Sequence, residues 1–122
     1  KRQDDNPSAL ETYGEINTWD VSLITDMNRL FEAKYTFNDD ISNWDVSNVI
    51  DMSNMFLNAR NFNQDLDSWD VSNVQNMGGI FGYAHAFNQD LNSWDVCNVN
   101  YVVYMFHRAF SFNENLSDKT LK

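Results

Sequence analysis

The sequence predicts an α/β solenoid, in which a parallel sheet of about five strands runs along one side and a helix returns after each of four repeats. Three observations predict it. Tryptophan recurs at positions 19, 44, 69 and 94, a spacing of 25 residues without slippage. Each unit carries two apolar periodicities in succession, one of two residues and one of three to four. The segments at either end depart from the repeat, as capping units do.

The strand of each unit is expected around the tryptophan. Leu66, Trp69 and Val71 follow an L-x-x-L-x-L spacing with Trp in the second apolar slot. Period-two alternation then sets Trp69 and Val71 on one face and Asp70 and Ser72 on the other. Burying a column of unpaired carboxylates would cost several kcal/mol each, so Trp and Val form the inward face.

The helix is expected immediately afterwards. Val49, Met52, Met55, Phe56 and Ala59 fall at i, i+3, i+6, i+7 and i+10, one narrow face at helical spacing. The equivalent runs are Ile24, Met27, Leu30 and Phe31; Val74, Met77, Ile80, Phe81 and Ala84; and Val99, Val102, Met105, Phe106 and Ala109. Ser47 and Ser72 stand where an N-cap would accept an orphan backbone N–H. In the first unit Lys34 replaces the small Ala.

These elements divide a single repeat domain, 1–122, into an N-terminal cap 1–15, repeats 16–40, 41–65, 66–90 and 91–115, and a capping strand 116–122. Leu116 and Leu121 keep the strand phase, whereas Lys119 stands where Trp belongs, which suits a strand with no neighbour to cover it.

Composition narrows the function. Eighteen acids against eight bases give a net charge of −10, which opposes nucleic acid and anionic surfaces and favours basic protein partners or cations. No apolar run approaches the roughly 18 residues of a membrane helix, so no transmembrane segment is expected. The first residues, Lys1-Arg2-Gln3-Asp4-Asp5, carry no hydrophobic signal region. The one cysteine, Cys97, occupies a serine position and reads as a drifted serine.

The string W-D-V-S-N-V-x-x-M-x-x-M-F followed by A-x-x-F-N-Q-D-L resembles the BspA-like leucine-rich-repeat proteins, and among them the 25-residue subtype of mycoplasma surface lipoproteins. The resemblance covers residues 16–118, with local departures at Leu23, Lys34, Cys97 and Val102. It implies surface exposure, with adhesion or protein recognition in some members. It is an analogy of scaffold, not of site.

Two groups of residues are candidates for binding. One is the column Asp20, Asp45, Asp70 and Asp95 with Ser22, Ser47 and Ser72. Identical acids on strands about 4.8 Å apart repel by roughly 1 kcal/mol per pair even in water. Either the column is an acidic concave face for a basic partner or cations, or each Asp accepts local backbone N–H groups as Asx-turns do. The second explains better why every repeat carries it. The other group is Tyr101, Tyr104 and Phe110, which with Val103 make the last unit apolar beyond its core face and mark a protein contact.

A further acidic set, Asp39, Asp40, Asp65, Asp90 and Glu114, offers oxygen ligands for calcium, but its loop lacks the glycine and alternating acids of calcium loops. Asn38, Asn63, Asn88 and Asn113 read as a buried structural ladder. His85 and His107 stand in different columns with no nucleophile nearby, and no phosphate loop or His/Cys metal spacing occurs. The expectation is therefore a non-enzymatic recognition or scaffold module without cofactor, either part of a surface protein or a small subunit of an intracellular or organellar assembly. A calcium or other ligand binder using the Asp columns is the alternative.

Overall fold

A computed structural model describes residues 13–114. Successive repeats lie over one another in the 25-residue register the tryptophans announced. The parallel sheet and the returning helices are not there. Among the described residues the longest regular element is a single 3-10 turn at Ile16–Thr18, placed where the first strand was expected. Strand pairing among the described residues reduces to isolated parallel bridges, Asp26 with Asp51, Asp51 with Asn76, and Asn76 with Tyr101. The expected capping strand, with Leu116, Lys119 and Leu121, lies outside the described residues.

The segments expected as helices are chains of overlapping turns. In the second repeat the N–H groups of Met55, Leu57, Ala59 and Phe62 donate to the carbonyls of Met52, Asn54, Phe56 and Ala59, each three residues back. The alternate N–H groups turn outward: Met52, Asn54, Phe56 and Asn58 donate to Asn76, Gly78, Ile80 and Gly82 of the next repeat at 2.8 to 2.9 Å. A helix would send every N–H four residues back along its own chain. Left-handed residues make the two patterns compatible. Arg29, Asn54, Gly79 and Tyr104 form one column of positive φ, and Ala33, Asn58, Tyr83 and Arg108 a second. Each stands third in its turn, where a type II turn needs φ above zero.

Packing dictates this choice. The rings of Phe31, Phe56, Phe81 and Phe106 stack with centroids 5.5 to 5.6 Å apart. A second column, Phe37, Phe62, Phe87 and Phe112, runs beside it at 5.7 to 6.1 Å. Helices about 10 Å across cannot sit over one another at that pitch. A flat turn chain can. The positions chosen for the helix face, Val49, Met52, Met55, Phe56 and Ala59, are all buried, because three-residue turns satisfy the same apolar spacing.

The tryptophan half is held by side chains. The indole Nε1 of Trp44, Trp69 and Trp94 donates to the carbonyl of Ile16, Ile41 and Leu66 at 2.8 to 3.1 Å, one repeat below. Asn48, Asn73 and Asn98 donate through Nδ2 to Ser22, Ser47 and Ser72 carbonyls at 2.7 to 2.8 Å. No strand ladder forms here because the Asp of each Trp-Asp-Val-Ser block captures the following N–H. Facing was nevertheless as expected: Trp44, Trp69 and Trp94 and Val46, Val71 and Val96 are buried, and Asp45, Asp70 and Asp95 exposed. Trp19, at the end of the stack, is 37% exposed.

Candidate functional site

Since no sheet forms, Asp20, Asp45, Asp70 and Asp95 do not line a concave strand face. Each belongs to a compact turn. The Oδ1 atoms of Asp20, Asp45 and Asp70 accept the backbone N–H of Ser22, Ser47 and Ser72 at 3.0 Å and the same serine's hydroxyl at 2.6 Å. Those serines therefore act within the turn and do not cap helices. The hydroxyl bond above all, then the N–H, holds the three carboxyls below the usual aspartate range. Repulsion along the column acts the other way: Asp20 raises Asp45, and Asp45 and Asp95 raise Asp70. At Cys97 the N–H still donates to Asp95 Oδ1 at 3.0 Å.

The second acidic set has the same chemistry. Asp40, Asp65 and Asp90 accept the N–H of Ser42, Asp67 and Asn92 at 2.7 to 2.9 Å. The Ser42 N–H, followed by its hydroxyl, lowers the Asp40 carboxyl. Local donors thus hold one oxygen of each of these carboxylates. Among the described residues no group of three or more His, Cys, Asp or Glu side chains is arranged to hold a metal ion.

Asn38, Asn63, Asn88 and Asn113 do form a ladder, with Oδ1 of each accepting the backbone N–H of the next at 2.8 to 3.0 Å. It is not buried. Asn38, Asn88 and Asn113 are exposed and Asn63 half-buried, so the ladder runs along the outside.

Tyr101, Val103, Tyr104 and Phe110 stand out from the surface at 62%, 64%, 68% and 69% exposure. Tyr104 and Tyr83 both meet the His107 ring edge-on, with centroids 5.2 and 5.5 Å away. Phe110 lies 5.0 Å from the His85 ring. Between these aromatics and the second repeat the surface drops into a hollow of about 430 Å³, walled by Asn54, Leu57, Tyr83, Tyr104 and His107. Its floor is Gly79 and Gly82. A shallower continuation reaches Gly78 and Tyr101.

Sequence reasoning singled out Tyr101, Tyr104 and Phe110, of which Tyr104 and Tyr101 border this hollow, but not the glycines. The signal was present: three of the chain's four glycines fall at 78, 79 and 82, in one turn segment. The second repeat carries Ser53, Asn54 and Leu57 in those columns and the fourth Val103, Tyr104 and His107. Deleting side chains in one layer between two filled layers makes a notch. The rim is aromatic and the floor is cleared of side chains, an arrangement suited to receiving a side chain.

A family model described as "Mycoplasma protein of unknown function, DUF285" matches residues 5–119. This is coarser than the leucine-rich-repeat subtype its motif resembled, and the near-absence of strand and helix among the described residues gives that subtype no support. No curated protein and no solved structure matches the chain. No helix among the described residues is long and apolar enough to cross a membrane.

Proposed function

We propose, on the premise that the chain belongs to the DUF285 family, that it is a non-enzymatic module recognising a protein segment in the glycine-floored hollow beside Tyr104 and His107. The observation that carries this reading is the notch itself: exposed aromatics gathered on one rim, over a floor cleared of side chains. The partner chemistry follows from the walls and the charge. Leu57, Tyr83 and Tyr104 fit an apolar or aromatic side chain, and a net charge of −10 draws a segment with basic flanks. The mycoplasma family is compatible with a surface repeat protein, the setting in which we place the module.

The test needs no identified partner. A random peptide library displayed on phage is selected on the immobilised chain and counter-selected on a Gly78→Ser/Gly82→Leu variant, which carries the residues of the second repeat and fills the notch. Peptides with an apolar anchor beside Lys or Arg should bind the wild type at micromolar Kd and lose at least about tenfold on the variant. Enrichment of peptides that bind both proteins equally would place recognition elsewhere and sink the proposal.

A further inference from the structure

The net charge of −10 is not spread evenly over the repeat. Among the described residues every base and both histidines, Arg29, Lys34, Arg60, His85, His107 and Arg108, fall in one stretch of the 25-residue register, equivalent to 29–35. That stretch is the second half of the turn chain. The described acids fall elsewhere, at positions equivalent to 20, 26 and 39–42. Glu32 is the exception, and it pairs with Arg29 at 2.7 Å. Most of the other acids accept an N–H two residues on, so the acidity serves largely the repeat's own turns.

The hollow lies on the boundary between the two charges. On one side its shallow continuation reaches Asn76 and Tyr101, and Asp51 is bridged to Asn76 one layer below. Asp26 continues that column below Asp51. On the other side Tyr83 walls the hollow, and its ring lies 6.5 Å from that of His85. Arg60 occupies the same column as His85 one layer below, with its guanidinium 5.1 Å over the Tyr35 ring. Arg108 is exposed and follows His107, which forms another wall. An arginine in contact with a ring keeps N–H donors for a carboxylate, since the guanidinium has five.

Resting on the hollow as the recognition site, we infer that the segment it receives is bipolar. An apolar or aromatic anchor enters the hollow, a basic flank leaves over the Asp26 and Asp51 column, and an acidic flank leaves over Arg60, His85 and Arg108. A segment basic throughout would set like charges against Arg60 and Arg108. One acidic throughout would do the same against Asp26 and Asp51. Exposed pairs of this kind add little affinity singly, and they set orientation, selectivity and association rate.

Fluorescence anisotropy with three labelled peptides on the full chain tests the inference. Each peptide has a central tryptophan, flanked by Lys on one side and Glu on the other, by Lys on both sides, or by Glu on both sides. The bipolar peptide should bind about threefold more tightly than either uniform one, and high salt should shrink that advantage. Arg60→Glu/Arg108→Glu should invert the order and make the all-Lys peptide the tightest. Arg60→Gln/Arg108→Gln, a milder pair, should bring the bipolar and all-Lys peptides level. A wild type that binds those two peptides equally, or an order that both variant pairs leave unchanged, overturns the inference. A sulfated oligosaccharide that binds with the same arginine dependence while no peptide does overturns it in favour of a glycan. The Gly78→Ser/Gly82→Leu variant separates this result from the proposed recognition role. Peptides that bind it as they bind the wild type sink both. Binding lost on it, with no charge order in the wild type, sinks the bipolar assignment alone.

Discussion

The indole Nε1 of Trp69 donates to the backbone carbonyl of Ile41, 28 residues earlier, at 3.1 Å. Both groups are buried, and the bond joins one repeat to the one below. It does the work that a strand ladder does in a sheet, through a side chain. Trp69→Phe removes the donor, leaves the Ile41 carbonyl without its partner and shrinks the ring. Urea unfolding should show a loss of about 1 to 3 kcal/mol. Trp19→Phe should cost less, because Trp19 is partly exposed and its 3.3 Å bond to Gly14 is longer.

Asn63 Oδ1 accepts the Asn88 N–H at 2.9 Å and the Gln89 side-chain amide at 3.0 Å. Asn63→Ala removes both bonds and should destabilise by about 1 kcal/mol, a partly exposed site limiting the loss. Asn63→Asp keeps an acceptor of the same shape. Its midpoint above pH 5 should stay closer to wild type than that of the alanine variant, and a reversed order would show that the ladder contributes little.

The Asp45 carboxyl is held below its ordinary 3.8, first by the Ser47 hydroxyl and then by the Ser47 N–H. Its folded value lies under its unfolded one. The stabilisation is therefore fully present above the ordinary carboxyl range and fades as pH falls through the lowered value. Ser47→Ala removes the larger cause and keeps the N–H. Carboxyl carbon chemical shifts should then show Asp45 titrating higher, while Asp20, one layer away but bonded to its own Ser22, moves much less.

Gly79 has φ +66°, and an added Cβ would run into the Asn54 side-chain amide. Gly79→Ala should cost about 1 kcal/mol, the ordinary penalty for an L side chain in the left-handed region. Gly78 has no such φ and meets its nearest neighbour, Asn76 Oδ1, at 3.3 Å, so Gly78→Ala should cost less. Thermal melts of the two variants check the order.

Carboxylates already bonded to local N–H and hydroxyl donors have little reason to recruit a cation. Melts in excess calcium, in magnesium and in chelator at one ionic strength should coincide. A ligand bound only by the folded state at 100 times its Kd would add about 2.7 kcal/mol, so a calcium-specific rise of several degrees would return the Asp columns to the candidate sites.

The division between what was legible and what was not follows the range of the interactions. Trp, Phe and Asp at fixed 25-residue spacing determined by themselves that repeats stack in register and that Trp and Phe face inward, and they favoured a turn role for each Asp; the Asn ladder, expected inside, runs along the outside. The stacking, the facing and the turn role depend on burial and on neighbours two residues away. Only the tertiary structure decided the secondary structure. Apolar residues at i, i+3, i+6 and i+7 suit a helix and a run of type II turns equally, and the 5.5 to 5.6 Å pitch of the Phe31 column admits only the turns. The hollow was decided there too. Gly78, Gly79 and Gly82 are three small residues in the sequence, and floor a hollow only because Leu57 and His107 fill the layers on either side.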